Sequence, residues 1–201
     1  MASPSTVDDL IAIAPPPECR VNAGSSDLWL EVERALGTAL PSDYKMLINV
    51  YGTGCFNDLF YVFNPFSGVD GMNLMWQAGV SDSLVLDEEL GRVYSLGSVL
   101  ENYQNFKIEY PELCPFPPYP EPGGLLPLGG DTNGGSMFWR TVGQPDDWPL
   151  ILMPHGLEPI ERYVMSLVGF LVQWLSGELP ESFGGAGKHF VNRTDPIFSP
   201  E

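Results

Sequence analysis

The stretch from Trp29 to Gly54 constrains the fold more than any other part of the chain. It reads as two short amphipathic helices, Trp29-Leu-Glu-Val-Glu-Arg-Ala-Leu-Gly37 and Leu40-Pro-Ser-Asp-Tyr-Lys-Met-Leu-Ile-Asn-Val-Tyr51, closed by Gly52-Thr-Gly54. Leu40, Tyr44, Leu47, Ile48 and Tyr51 fall at i, i+4, i+7, i+8 and i+11, which places them on one face of a helix. Pro41 suits a first helical turn, where its missing N–H would have no partner anyway. Gly37 and Gly52 suit the left-handed residues that end the two helices.

Downstream of Gly54 the pattern changes. Phe56 and Leu59-Phe-Tyr-Val-Phe63 read as strand, stopped at Asn64-Pro65, and Val69–Ala78 is open to a helical reading. Arg92-Val-Tyr-Ser-Leu96 is a short strand candidate. Ser98 and Glu101 form a capping-box pair ahead of a helical stripe, Val99, Tyr103, Phe106 and Tyr110, which Pro111 terminates. Residues 111–124 carry six prolines and read as either a rigid strap or a recognition surface. Leu125–Val142 looks like a hairpin turning at Asn133-Gly134, and Leu150-Ile-Leu-Met153 is a fully apolar strand. A last helix is predicted from near Pro159, with Ile160, Tyr163, Val164, Leu167, Leu171, Trp174 and Leu175 in one stripe and Gly177 as its stop. Helices on either side of a central block of short strands predict an α+β fold: one domain with a mostly antiparallel or mixed central sheet flanked by helices. The domain is expected over 25–180, behind a Pro-containing leader (1–24), flexible or packed on the surface as a strap, and ahead of a Gly-rich, disordered tail (181–201).

The chain has 26 acidic and 9 basic residues, a formal net charge of −17. That charge repels nucleic-acid phosphates and anionic lipid, so neither nucleic acid nor a membrane is an expected partner, and it attracts basic proteins. Three widely spaced cysteines without a C-x-x-C pattern exclude a disulfide framework and a cysteine zinc site, and fit a reducing cytosol. No basic n-region precedes Leu10–Ala14, and Tyr163–Leu175 is too short to span a bilayer. A cytoplasmic protein is expected.

Catalytic and cofactor patterns fare poorly. Asp131-x-Asn133-Gly134 fails as a calcium loop, because Gly135, Ser136 and Val142 stand where an oxygen ligand, a glycine and a glutamate are needed. Gly52-x-Gly54 lacks the third glycine and the basic residue of a phosphate loop. His155, in a Pro-His-Gly turn, has neither a nucleophile nor an orienting group supplied by the sequence. Cys55 fits a small apolar filler at a strand start, and no Gly-x-Ser-x-Gly elbow occurs. The expectation is a protein that is not an enzyme and has no cofactor or metal.

Taken together, Trp29, Glu33 and Gly37, Leu40-Pro41-x-Asp43-Tyr44-Lys45, Tyr51-Gly52-x-Gly54, Asn64-Pro65, Leu126-Pro127-x-Gly129, Asn133-Gly134, Phe138-Trp139, Trp148-Pro149, and Phe170, Leu171 and Gly177 in the final helix resemble the SUKH superfamily. That group includes fungal cell-wall-synthesis regulators and bacterial immunity proteins. The resemblance covers about 25–180 and implies a compact α+β fold. It also implies either an immunity protein that blocks a polymorphic toxin by direct binding or, as the alternative, a regulatory adaptor for a host protein. It brings no catalytic motif. The Pro-rich loop and the two tails depart from the pattern.

Against that background the acidic loops become the candidate partner-binding residues. Asp87, Glu88 and Glu89, Asp131, and Asp146 and Asp147 would form a face for a basic toxin domain such as a nuclease, with Glu109, Glu112 and Glu121 as a further acidic cluster. Tyr119 and Trp148 are the expected exposed aromatic anchors.

Overall fold

A computed structural model describes residues 5–80, 97–179 and 198–200. Its helices are α1 (Val7–Ile13), α2 (Ser26–Leu36), α3 (Ser42–Tyr51), the single-turn α4 (Leu74–Gln77), α5 (Val99–Glu109) and α6 (Leu167–Leu175). Its strands are β1 (Gly54–Phe56), β2 (Phe60–Val62), β3 (Leu125–Asp131), β4 (Ser136–Arg140), β5 (Leu150–Met153), β6 (Glu161–Tyr163) and β7 (Phe198–Pro200). They form one sheet in the order β6-β5-β4-β3-β2-β1-β7, with every neighbouring pair antiparallel. The fold is the expected single-domain α+β arrangement.

The pleat of the sheet separates two cores. Met137, Trp139, Leu150 and Leu152 point with Phe60 and Val62 into the main core, which also takes Leu10 of α1, Trp29 and Val32 of α2, Tyr44, Leu47 and Ile48 of α3, and Phe170 and Leu171 of α6. The alternate residues Phe138 and Ile151, with Leu125, face the other way and meet Tyr103 and Cys114 in a smaller cluster. This is the period-2 division that strands impose on their side chains. Helices α1, α2, α3, α4 and α6 thus contribute to the main core, while α5 supplies Tyr103 to the other.

The first two predicted helices form as expected. Gly37 ends α2 in the left-handed conformation, φ 78° and ψ 14°, with its N–H on Glu33 O. Gly52 follows α3 at φ 74° but ψ −145°, a region that only glycine enters easily, because the chain turns there to meet Val21. Pro41 stands at the N-cap, one position ahead of the helix.

Two expectations are corrected. The leader 1–24 holds a packed helix within its described length. Thr6 and Asp9 form a capping box that starts α1, and Val7, Leu10 and Ala14 are buried where α1 packs on α6 and α3. The last helix does not begin near Pro159. Glu161–Tyr163 pairs with β5 as an edge strand, Leu150 opposite Tyr163, and α6 begins only after the Ser166 side chain caps Gly169 N–H. The tail expected at 181–201 lies outside the described residues, apart from β7, which adds to the edge of β1. The Arg92–Leu96 strand candidate also lies outside them.

The Pro-rich segment 111–124 is a strap. Pro118 bridges Leu125, Leu125 N–H bonds Pro117 O, and the Tyr103 hydroxyl donates to Phe116 O at 2.8 Å. Proline removes donors but keeps its carbonyl: Pro117 O accepts from β3, while the carbonyls of Cys114 and Phe116 accept from α5.

Candidate partner-binding site

The two expected aromatic anchors are corrected. Tyr119 is 8% exposed, and its hydroxyl donates to Leu36 O across the main core. Trp148 is 5% exposed, packs with Trp139 at a ring separation of 6.5 Å, and bonds Gly143 O through Nε1. Both aromatics follow prolines or turns that read as surface loop, yet each turn folds back onto the helical side of the sheet. Neither side chain offers a free face to a partner.

The acidic residues are dispersed. Asp146 and Asp147 sit in the 3-10 turn Pro145–Asp147 between β4 and β5, both exposed. Asp146 already serves the fold, since its Oδ1 accepts from Ser42 N–H at 2.6 Å and caps α3. Asp131 ends β3 beside the β3–β4 turn, at the other end of β4, where its Oδ1 accepts from Asn133 N–H at 2.7 Å and Gly135 N–H at 3.1 Å. The five residues of β4 separate these turns by roughly 13 Å. Asp87, Glu88 and Glu89 lie outside the described residues.

A concave site forms at the Asp131 end of the sheet, on the face that carries α5. It is a cleft of about 450 Å³ walled by Val99, Tyr103 and Phe106 of α5 and by its C-cap Tyr110, floored by Phe138 and Met153, and closed by Gly134 and by the loop Pro154–Leu157. The Val99-Tyr103-Phe106-Tyr110 stripe is legible in the sequence, but its function is not. The sheet buries Tyr103 fully and leaves Val99, Phe106 and Tyr110 half-buried, so the stripe outruns the surface available to cover it. Leu157, 61% exposed, completes the apolar lining from the opposite wall.

The turns that shape the cleft fit each other closely. A Cβ on Gly134, at φ +93°, would stand 2.6 Å from His155 Cδ2, so the histidine ring lies directly on the glycine backbone. His155 thereby closes one end of the cleft. Ser136 also lines it, but no hydrogen bond joins it to His155, and the pair does not form a nucleophile–base couple. Among the described residues, no group of three His, Cys, Asp or Glu side chains could hold a metal ion.

Exposed carboxylates neighbour the lining residues along the chain. Glu101, Glu109, Glu112 and Glu158 are all exposed and each lies within two residues of a lining residue. The Tyr110 hydroxyl is held above its usual ionisation range, first by hydrogen bonding to Glu109, then by the charges of Glu109 and Glu112. The cation on α5, Lys107, is turned away and donates to Cys114 O. Elsewhere Arg20 bonds Asn49 O, Lys45 pairs with Glu33 at 2.7 Å, and Arg140 stacks on Phe116. Arg34 and Arg162 are the remaining described cations, both exposed; Arg162 stands opposite Ile151 on the α5 face but does not line the cleft.

No helix among the described residues is long and apolar enough to cross a membrane. No family model, curated protein or solved structure matches the chain.

Proposed function

We propose that this chain is a cytoplasmic, non-catalytic immunity protein that neutralises a basic toxin domain by binding it directly. The observation that carries the reading is the apolar cleft beside α5, whose lining residues have exposed carboxylates as neighbours along the chain, in a protein of net charge −17. Several basic side chains are engaged within the fold, while Asp147, Glu101, Glu109, Glu112 and Glu158 face solvent. Such a surface steers cationic partners and repels polyanions. The immunity class follows from the resemblance to SUKH proteins. Asp131 lies near the cleft, Asp146 and Asp147 form a separate acidic patch at the other end of β4, and Tyr119 and Trp148, being buried, leave the proposed surface.

The test is a pull-down with the tagged full chain from the source lysate, eluted along a salt gradient. The expected result is one basic protein, released by rising salt, toxic when expressed alone and harmless when co-expressed with this chain. A captured protein whose toxicity persists on co-expression would overturn the immunity reading.

A further inference from the structure

We infer that the cleft between α5 and the sheet is the docking pocket for one aliphatic or aromatic side chain of a cationic segment of the partner, with Lys or Arg flanking that side chain. The inference rests on the partner-binding reading above and adds where the contact is made and by what chemistry. Two independent features support it. Inside the cleft the lining is largely apolar: half-buried Phe106 and Met153 and exposed Leu157 border space that no described side chain fills. A methionine in such a wall adapts to inserted groups of different shape. Outside it, exposed Glu109 and Glu112 flank the lining residue Tyr110 along the chain, which places two negative charges beside the rim. An acidic segment would be repelled there, and a neutral one would gain nothing from the rim. Apolar insertion with flanking cations satisfies both parts, and burial of the central side chain supplies the anchor.

The polar groups at the site do not compete with this occupant. Asn102 is committed to Gly97 O at 3.0 Å and the Tyr103 hydroxyl to Phe116 O. His155 rests against the Gly134 backbone, where it shapes the end of the pocket.

The experiment uses the full chain and three fluorescein-labelled peptides read by anisotropy: Trp-Leu flanked by lysine pairs, the same core flanked by glutamates, and Gly-Gly flanked by lysines. The first should bind most tightly. Leu157→Asn, an exposed loop substitution, should weaken it about fivefold without changing the circular dichroism spectrum. Glu109→Gln with Glu112→Gln should flatten the salt dependence of that binding. Equal binding of the lysine and glutamate peptides, equal binding of the Gly-Gly peptide, or indifference to Leu157→Asn would each overturn the pocket. The two readings fail separately. A toxic basic partner that binds wild type and Leu157→Asn alike removes the pocket and leaves the immunity reading standing. Cationic peptides that bind as expected, beside a captured partner whose toxicity this chain does not relieve, leave the pocket and remove the immunity reading.

Discussion

Asp43 Oδ2 accepts a hydrogen bond at 2.9 Å from the backbone N–H of Val168, 125 residues further along the chain. The bond joins the first turn of α3 to the first turn of α6. Val168 is the second residue of α6, so its N–H has no partner within the helix, and a carboxylate there also meets the positive end of the helix dipole. Asp43 does this while its Oδ1 accepts from Tyr44 N–H at 2.8 Å. Asp43→Ala should therefore cost about 1–2 kcal/mol of stability, and Asp43→Asn less, because the amide keeps an acceptor but loses the charge. Urea unfolding of the three proteins checks the order; equal midpoints would mean that the link contributes nothing.

The buried tyrosines predict alkaline instability. Desolvation raises the Tyr44 hydroxyl well above its ordinary value of 10.0, and burial likewise raises Tyr51 and Tyr103. Each donates to a buried carbonyl: Tyr44 to Phe63 O, Tyr51 to Ala14 O and Tyr103 to Phe116 O. In the unfolded chain these phenols ionise near pH 10, while the folded chain holds their protons to higher pH. Their contribution is then fully present below about pH 10 and is lost as pH rises above it, by about 1.4 kcal/mol per pH unit for each phenol. Unfolding free energies measured by urea between pH 8.5 and 11.5 should be flat at first and then fall steeply. Tyr44→Phe should make that fall shallower, and a slope unchanged by this substitution would remove Tyr44 from the account.

How far the sequence carries depends on what each residue competes with. The α3 stripe is legible because Tyr44, Leu47, Ile48 and Tyr51 repeat at helical spacing and all end up buried. The β3–β4 hairpin is legible from Asn133-Gly134, and Gly134 takes the positive φ expected of it. Residues 160–164 mislead because Ile160, Tyr163 and Val164 also fit a helical period, and pairing of Tyr163 with Leu150 along the sheet edge overrides it. Helix α1 is hidden by the prolines at 15–17 and by a capping box that uses Asp9 in place of Glu or Gln. At the site, the half-buried state of Phe106 and Tyr110 depends on where the sheet ends, which no spacing along α5 encodes. Tyr119 and Trp148 sit in loops with surface composition, yet tertiary contacts bury both.

Leu10 tests the correction to the leader. It is 0% exposed in a helix that packs on α6 and α3, so Leu10→Ala should cost about 2–5 kcal/mol. A leader lying loosely on the surface would show almost no effect. Thermal unfolding distinguishes the two, with Asp8→Ala, exposed on the same helix, as the control.

Gly37 and Gly52 provide the last test, because two helix-ending glycines with similar φ should respond differently to the same substitution. At Gly37, φ +78°, a Cβ would meet nothing within 4 Å. Gly37→Ala then carries only the left-handed penalty, about 1–2 kcal/mol. At Gly52, φ +74°, a Cβ would lie 2.1 Å from Val21 O and 3.0 Å from Val21 N, both backbone atoms. The same backbone approach makes the bond from Thr53 N–H to Val21 O at 2.8 Å, so relieving the clash breaks that bond as well. Gly52→Ala should cost on the order of 3 kcal/mol or more, from conformational strain and overpacking together. Equal losses at the two positions would show that helix termination alone requires Gly52 and that the approach of Val21 adds nothing. A larger loss at Gly52 that persists when residues 1–21 are deleted would locate the strain in its own φ and ψ, whereas recovery toward the Gly37→Ala value would assign it to the contact with Val21.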